Sequence, residues 1–401
     1  MSGMYVLAHP LTEAVSTSLP VSPAVVATIG AGIVAGIARL AEPAGAGPTA
    51  QLATPSRPWA QVDPLPATMW LTRLAGVATL AGVIGIGRFA PADPNSSFSP
   101  VVGLPEIALA TLFPLLLLSA VVLGDVWGWV DPWDTAARVL TSSEPADDNA
   151  ADTDVRWALP LAAGWMWYVA AFRSALTDPR ALAAAAALYT LVTLAGCLAI
   201  GRRRWLARAE PFGLFLSWLG QLRHQRLTSW APPKGSAAVL GVIAGGLLFA
   251  EVRTSSLWGV RDLQPNAAWL AAAGLAACAA VAAAVFAWGE RRARRYGAPG
   301  SVLAAVVPTS AGIGIALSLT DNRFLGGVES VIRWLGVAWS RPPLALPAMA
   351  LLLTQVGILV LGATVGGRVA ARRSPTPRAF GPAVIVTCVL MGAAVLLVTA
   401  A

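Results

Sequence analysis

Histidine is nearly missing from this chain: His9 and His224 are the only two. A bis-histidine haem or a histidine-rich metal centre therefore cannot be assembled from this polypeptide alone. Lysine is scarcer still, Lys234 standing alone among 28 Lys+Arg. Charged residues make up 12% of the 401 positions, against about 25% in an ordinary soluble domain. With 56% hydrophobic residues, that deficit excludes a water-soluble globule. The three cysteines, Cys197, Cys278 and Cys388, fall in separate apolar runs without partner spacing. They support neither a disulfide framework nor a C-x-x-C site, and read as small packing residues. The H-E-x-x-H, G-x-S-x-G and P-loop patterns are absent. The first twenty residues lack the basic n-region of a secretory signal, and no internal duplication points to an inverted-repeat transporter.

What the chain does have is apolar runs of the length that crosses a ~30 Å hydrocarbon layer as helix. Ten are predicted, over about residues 23–40, 70–90, 104–123, 157–172, 181–200, 237–250, 267–288, 302–319, 346–369 and 382–398. The expected fold is an all-α polytopic membrane bundle of about ten transmembrane helices with two or three interfacial helices. Residues 1–22 read as an external tail, and 23–401 as one transmembrane domain. Pro114 should kink the third run and Pro308 the eighth. The seventh, rich in alanine, must be enclosed by other helices or packed very closely. Residues 141–156, with Glu144, Asp147, Asp148, Asp152 and Asp154, read as a disordered acidic cytoplasmic loop.

Arginine sets the topology. Residues 201–235 hold Arg202, Arg203, Arg204, Arg208, Arg223, Arg226 and Lys234, a basic connector that the positive-inside rule leaves in the cytoplasm. The odd-numbered connectors together carry 20 Lys+Arg and the even-numbered ones 8. Both termini are therefore expected outside a plasma membrane. Arg202, Arg203, Arg204 and Arg208 could also hold anionic lipid head groups. The net charge of +8 sits at the ends of apolar runs, so it argues for the bilayer and against nucleic acid as partner. Arg73 and Arg88 should snorkel to the two interfaces, and the apolar patch 212–222, too short to cross, should lie along the cytoplasmic interface. Trp127, Trp129 and Trp133 read as an interfacial belt, with Asp131 and Asp134 capping a short helix.

Several of these segments resemble a bacterial and archaeal family of multi-spanning proteins named fenitrothion-hydrolase-like. The carrying motifs are Trp127-Gly-Trp129-Val-Asp131-Pro132-Trp133, the turn Asp178-Pro179-Arg180, Glu210-Pro211-Phe212-Gly213, and Phe249-Ala250-Glu251 with Thr254-Ser255-Ser256-Leu257-Trp258. The resemblance covers almost the whole chain and implies a membrane-bound hydrolase of organophosphorus-type esters. Family members show histidines in the spans matching 302–319 and 346–369, where this chain has none. That departure weakens a catalytic carry-over and favours a subunit or a divergent relative.

The remaining ionisable groups gather at the outer helix ends: Glu106, Arg173, Glu251, Arg253, Asp321 and Arg323. Charges bordering hydrocarbon are costly and usually face protein or water. His9, Glu106, Glu251 and Asp321 together could hold a divalent metal that activates water. The six could instead bind an anion, carry ions, or simply mark where helices end. The expected role is a non-catalytic membrane subunit or scaffold, with other membrane subunits as partners. An outward-facing ester hydrolase and a small-solute permease are the alternatives.

Overall fold

A chain that leaves water must satisfy its own backbone amides and carbonyls, and helix does so within one segment. The computed structural model describes residues 67–89, 104, 106–141, 154–171, 178–222, 230–255, 258, 267–319, 323–334 and 346–400. Among them the chain is helical and has no strand, apart from a lone bridge between Asp154 and Lys234. The run expected at 23–40 and the acidic positions Glu144 to Asp152 lie outside the described residues.

In chain order the helices are α1 (Ala67–Phe89), α2 (Phe113–Leu123), α3 (Trp127–Val130), α4 (Pro132–Leu140), α5 (Leu159–Met166), α6 (Pro179–Ile200), α7 (Arg202–Arg208) and α8 (Pro211–Gly220). There follow α9 (Ser236–Thr254), α10 (Ala267–Arg295), α11 (Ser301–Ser318), α12 (Arg323–Trp334), α13 (Ala348–Arg373) and α14 (Pro377–Ala400). Seven of these described helices, α1, α6, α9, α10, α11, α13 and α14, are long and apolar enough to cross a membrane. The predicted third and fourth runs are also helical but broken. A π-helical stretch, Glu106–Leu112, leads into α2 with Pro114 in its first turn. Proline has no amide for the ladder and crowds the carbonyl four residues back, so the register widens there. The fourth run passes from 3₁₀ (Val155–Ala158) through α5 to π (Trp167–Ala171). At Pro308 α11 remains one helix.

α11 is the central post. It is buried on every side, as a helix with apolar or small residues all round and no charge must be. Against α13 the backbones close to near contact at Gly312 and Gly362, and a methyl added at Gly366 would lie 2.5 Å from the Ala305 carbonyl oxygen. α9 and α10 pair in the same way. A Cβ at Gly241 would meet Ala283 at 2.5 Å, and one at Gly245 would meet Ala279 at 2.6 Å. This is small-residue packing, which replaces the hydrophobic drive that lipid cannot supply. The alanine-rich α10 is thus closely packed on one face, while Trp269 and Val281 stay exposed on another.

Contacts between connectors show the alternation of the spans. At one end, Arg73 and Arg202 both meet Asp134, Val155 N–H donates to the Lys234 carbonyl at 2.9 Å, and Arg373 bonds the Pro299 carbonyl. These contacts join the predicted connectors one, three and five, and seven with nine, and a Cβ at Gly300 of the seventh would lie 2.7 Å from Pro232 of the fifth. At the other end, Thr111 Oγ1 donates to the Phe324 carbonyl (3.2 Å) and Arg253 to that of Ala170 (3.3 Å). α12 packs on the π-helical stretch there. The arginines Arg291, Arg292, Arg294, Arg295, Arg372 and Arg378 are exposed at the odd-connector end, the distribution the charge count anticipates.

Candidate functional site: two helix starts inside the bundle

The basic connector does not stay outside the bundle. Gly201, at φ +101°, takes a conformation that only glycine adopts without strain, and reverses the chain at the end of α6. α7 then runs back along α6: Trp205 packs its indole on Gly196, and Tyr189 OH donates to Glu210 Oε1 at 2.7 Å. Tyr189 is the eleventh of the 22 residues of α6, so Glu210 lies at the middle of a spanning helix. From there α8 returns. Phe212 meets Phe113 at a ring separation of 6.0 Å, and a Cβ at Gly220 would lie 2.8 Å from the backbone of Gly124.

A second hairpin enters beside the first. Gly124, at φ +92°, ends α2. α3 rises along α1, with the Gly128 carbonyl accepting from Arg73 Nη2 (2.8 Å) and the Val130 carbonyl lodged on Gly76. α4 starts at Pro132, where Trp133 Nε1 donates to Thr190 Oγ1 at 3.1 Å.

Both apices have the same chemistry, acid then proline then aromatic residue. Asp131 Oδ1 accepts from Trp133 N (2.9 Å) and Asp134 N (3.0 Å). Glu210 Oε1 accepts from Phe212 N (2.9 Å), and Oε2 from Gly213 N (2.7 Å). Both carboxylates are fully buried. Each caps a helix whose first position is proline, the residue with no amide to leave unsatisfied. The rings of Trp133, Tyr189 and Phe212 meet between the apices at 4.8–6.0 Å. Trp165 adds its ring to Phe212 at 5.1 Å. Beside this cluster lies a small cleft of about 30 Å³, walled by apolar side chains such as Phe113, Trp165, Met166, Phe212, Phe215 and Ile243.

Below the apices Asp134, fully buried, is shared by Arg73, Arg202 and Arg138, the last at 2.9 Å. Arg73 is 0% exposed and Arg202 4%. One carboxylate thus ties α1, α4 and the start of α7 together. At the bundle rim Asp154 pairs with Arg156. The hydrogen bonds from Arg156, with Lys234 near, hold its carboxyl down at about 2.

Several sequence expectations change accordingly. Arg73 does not snorkel and Arg202 is no surface topology mark; both are buried in the Asp134 network. Of the other three arginines assigned to topology and lipid, Arg204 is exposed and Arg203 and Arg208 are half-buried. Trp127 and Trp133 are buried, and only Trp129 of the three is exposed, at 49%. The patch from Phe212 forms α8, buried nearly all round, because its Gly- and Leu-rich surface meets α2 and α11 and not an interface. Asp131 caps α4 as expected, while Asp134 is a hub of ion pairs.

The proposed outer cluster is only partly on view. Glu251 is 1% exposed, within α9, and Arg253 is half-buried. Glu106 begins the π-helical stretch and Arg323 begins α12, and these two elements pack together, though both side chains lie outside those described. His9, His224, Arg173 and Asp321 also lie outside the described residues. Among the described residues no three His, Cys, Asp or Glu side chains come together as a metal site. Sequence reasoning quoted the two acid-proline-aromatic motifs but missed Glu210, Tyr189 and Arg73. The signal was there in the repeated acid-Pro pair, a helix start placed where a connector was assumed. Comparison with protein-family models, curated proteins and solved structures finds no match to this chain.

Proposed function

We propose that this membrane protein is a permease for a small, largely apolar solute. The observation that carries the reading is the meeting of two interrupted helix hairpins at the middle of α6, beside an apolar cleft. Broken helices at mid-depth are how many transporters build a solute site, and the wholly apolar lining of the cleft suits an apolar solute. The odd-connector end, rich in exposed arginine, is assigned to the cytoplasm of a plasma membrane, with both termini outside. The test uses the full chain with Cys197, Cys278 and Cys388 changed to alanine and Phe215→Cys placed in the cleft. In sealed vesicles of either orientation, a hydrophilic maleimide is expected to label it from both faces. Labelling from one face or neither overturns the reading.

A second reading is the non-catalytic membrane subunit, and α1 favours it. Only 6% of its apolar window is buried, and nothing lies within 4 Å of a Cβ built at Gly82 or Gly85. Such a face suits another membrane subunit, and a stoichiometric protein copurifying in mild detergent would support that role. The ester hydrolase implied by the family resemblance depends on Glu106, Asp321 and His9 approaching Glu251. Metal analysis of the purified chain tests it.

A further inference from the structure

α10 ends in four arginines, and the structure gives them different company. Arg294 Nε donates to Glu290 Oε1 at 3.3 Å, and the Arg292 guanidinium lies 5.7 Å from the centre of the Tyr296 ring. Arg291 and Arg295 are exposed and make no ion pair, hydrogen bond or ring contact with another described residue. At i and i+4 they share one face of the helix, their Cβ atoms about 6 Å apart. Trp288, three residues before Arg291 and 44% exposed, lies on the same face. So do the exposed alanines Ala273, Ala277, Ala280 and Ala284. Other sides of α10 are taken by α9 and α14, with Ala279 and Ala283 on Gly245 and Gly241, and Gly289 on Val386.

Exposed Trp269 and Trp288 stand nineteen residues apart in α10, about 28.5 Å at 1.5 Å per residue. That matches the ~30 Å hydrocarbon layer, at whose edges indole rings collect. Head groups add roughly 5–8 Å on each side, and Arg291 and Arg295 stand about 4.5 and 10.5 Å beyond Trp288. The two guanidinium groups thus bracket the level of the phosphates. We infer that this face of α10 holds an anionic phospholipid, its phosphate between Arg291 and Arg295 and an acyl chain along the alanine lane. A guanidinium fork matches phosphate oxygens with two parallel N–H bonds, and small side chains let a neighbour lie close to the helix. The head group must carry net negative charge, since the amine of a zwitterionic lipid would be repelled by the same two arginines. The lipid contact expected at Arg202 is thereby moved, because that guanidinium is paired with Asp134. The inference needs only a chain that spans a bilayer, and it stands whether the protein is a permease or a subunit.

The test is tryptophan quenching of the full chain in nanodiscs of phosphatidylcholine, with chain-brominated phosphatidylglycerol or chain-brominated phosphatidylcholine mixed in at matched mole fractions. The signal is the component lost in Trp288→Phe. Phosphatidylglycerol is expected to quench at roughly tenfold lower mole fraction, as two cations at the membrane surface imply. The double variant R291Q/R295Q is expected to bring the two lipids together, while R372Q, an exposed arginine of α13, leaves the difference in place. Equal potency in the unaltered chain overturns the inference. So does a preference that survives R291Q/R295Q, or one that R372Q removes to the same extent, which would make it an effect of overall charge. Quenching by neither lipid means that protein covers the face, and overturns it too. If inorganic phosphate erases the preference where sodium chloride of the same ionic strength does not, the pair belongs to a soluble anion and the lipid assignment falls.

Discussion

Changing Asp134 to asparagine keeps the shape of the side chain and removes the charge that Arg73, Arg138 and Arg202 share. Arg73 is 0% exposed and Arg202 4%, so neither guanidinium can turn to water for compensation. At an effective dielectric of about 20, a unit pair 4 Å apart is worth about 4 kcal/mol. Three such attractions are lost, and relief of the carboxylate's own desolvation returns part of the sum. Removing one partner of a buried pair costs about 3–5 kcal/mol in measured cases, and D134N is expected in that range. R138Q should cost less, about 1–3 kcal/mol, because Asp134 keeps two partners. Reversible unfolding of the purified chain in mixed micelles, titrated with a denaturing detergent, gives both values. A loss below about 1 kcal/mol for D134N would refute the claim that this carboxylate ties α1, α4 and α7.

Gly366→Val should destabilise by about 1–3 kcal/mol through overpacking, since its Cβ would press on the Ala305 carbonyl. Gly357→Ala in the same helix, with nothing within 4 Å of the added methyl, should be neutral or gain up to about 1 kcal/mol. The same unfolding assay checks the pair. Glu210→Ala should cost about 1–2 kcal/mol through loss of the α8 cap, whereas Glu210→Gln, which keeps an acceptor, should cost less. Equal losses in the two would count against capping. For Asp154, the folded carboxyl is held at about 2 against an ordinary value of 3.8. A depressed carboxyl contributes stability above its unfolded value and loses it as pH falls through the folded one. The difference in melting temperature between the unaltered chain and D154N should therefore be constant near neutrality and vanish between about pH 3.8 and 2.

The spanning helices were legible because hydropathy and bilayer thickness fix a length scale that few other structures share. Even the alternation of ends follows from counting arginines, and the Asp134, Lys234 and Arg373 contacts gather the odd connectors as that count requires. The same count misled at Arg202, because a rule that counts cations cannot tell a charge on the rim from one paired inside the protein. Phe212 to Gly220 was misplaced for a related reason. Nine residues, eight of them apolar or glycine, are too few to cross, and length alone does not separate a helix on the interface from half a helix within the bundle. Trp127 and Trp133 show a third limit: indole suits a membrane interface and a buried aromatic cluster equally well.

The two buried helix starts also decide where an anion belongs. In many transporters the free amides at the end of a broken helix receive an anionic group. Here Pro132 and Pro211 have no amide to offer, and the next two amides of each helix are spent on Asp131 and Glu210. The helix ends are thus closed by the chain's own carboxylates, and a second negative charge placed there would be repelled. A solute with a negative head is thereby turned away from the apices, and the site of the proposed permease suits a neutral apolar solute.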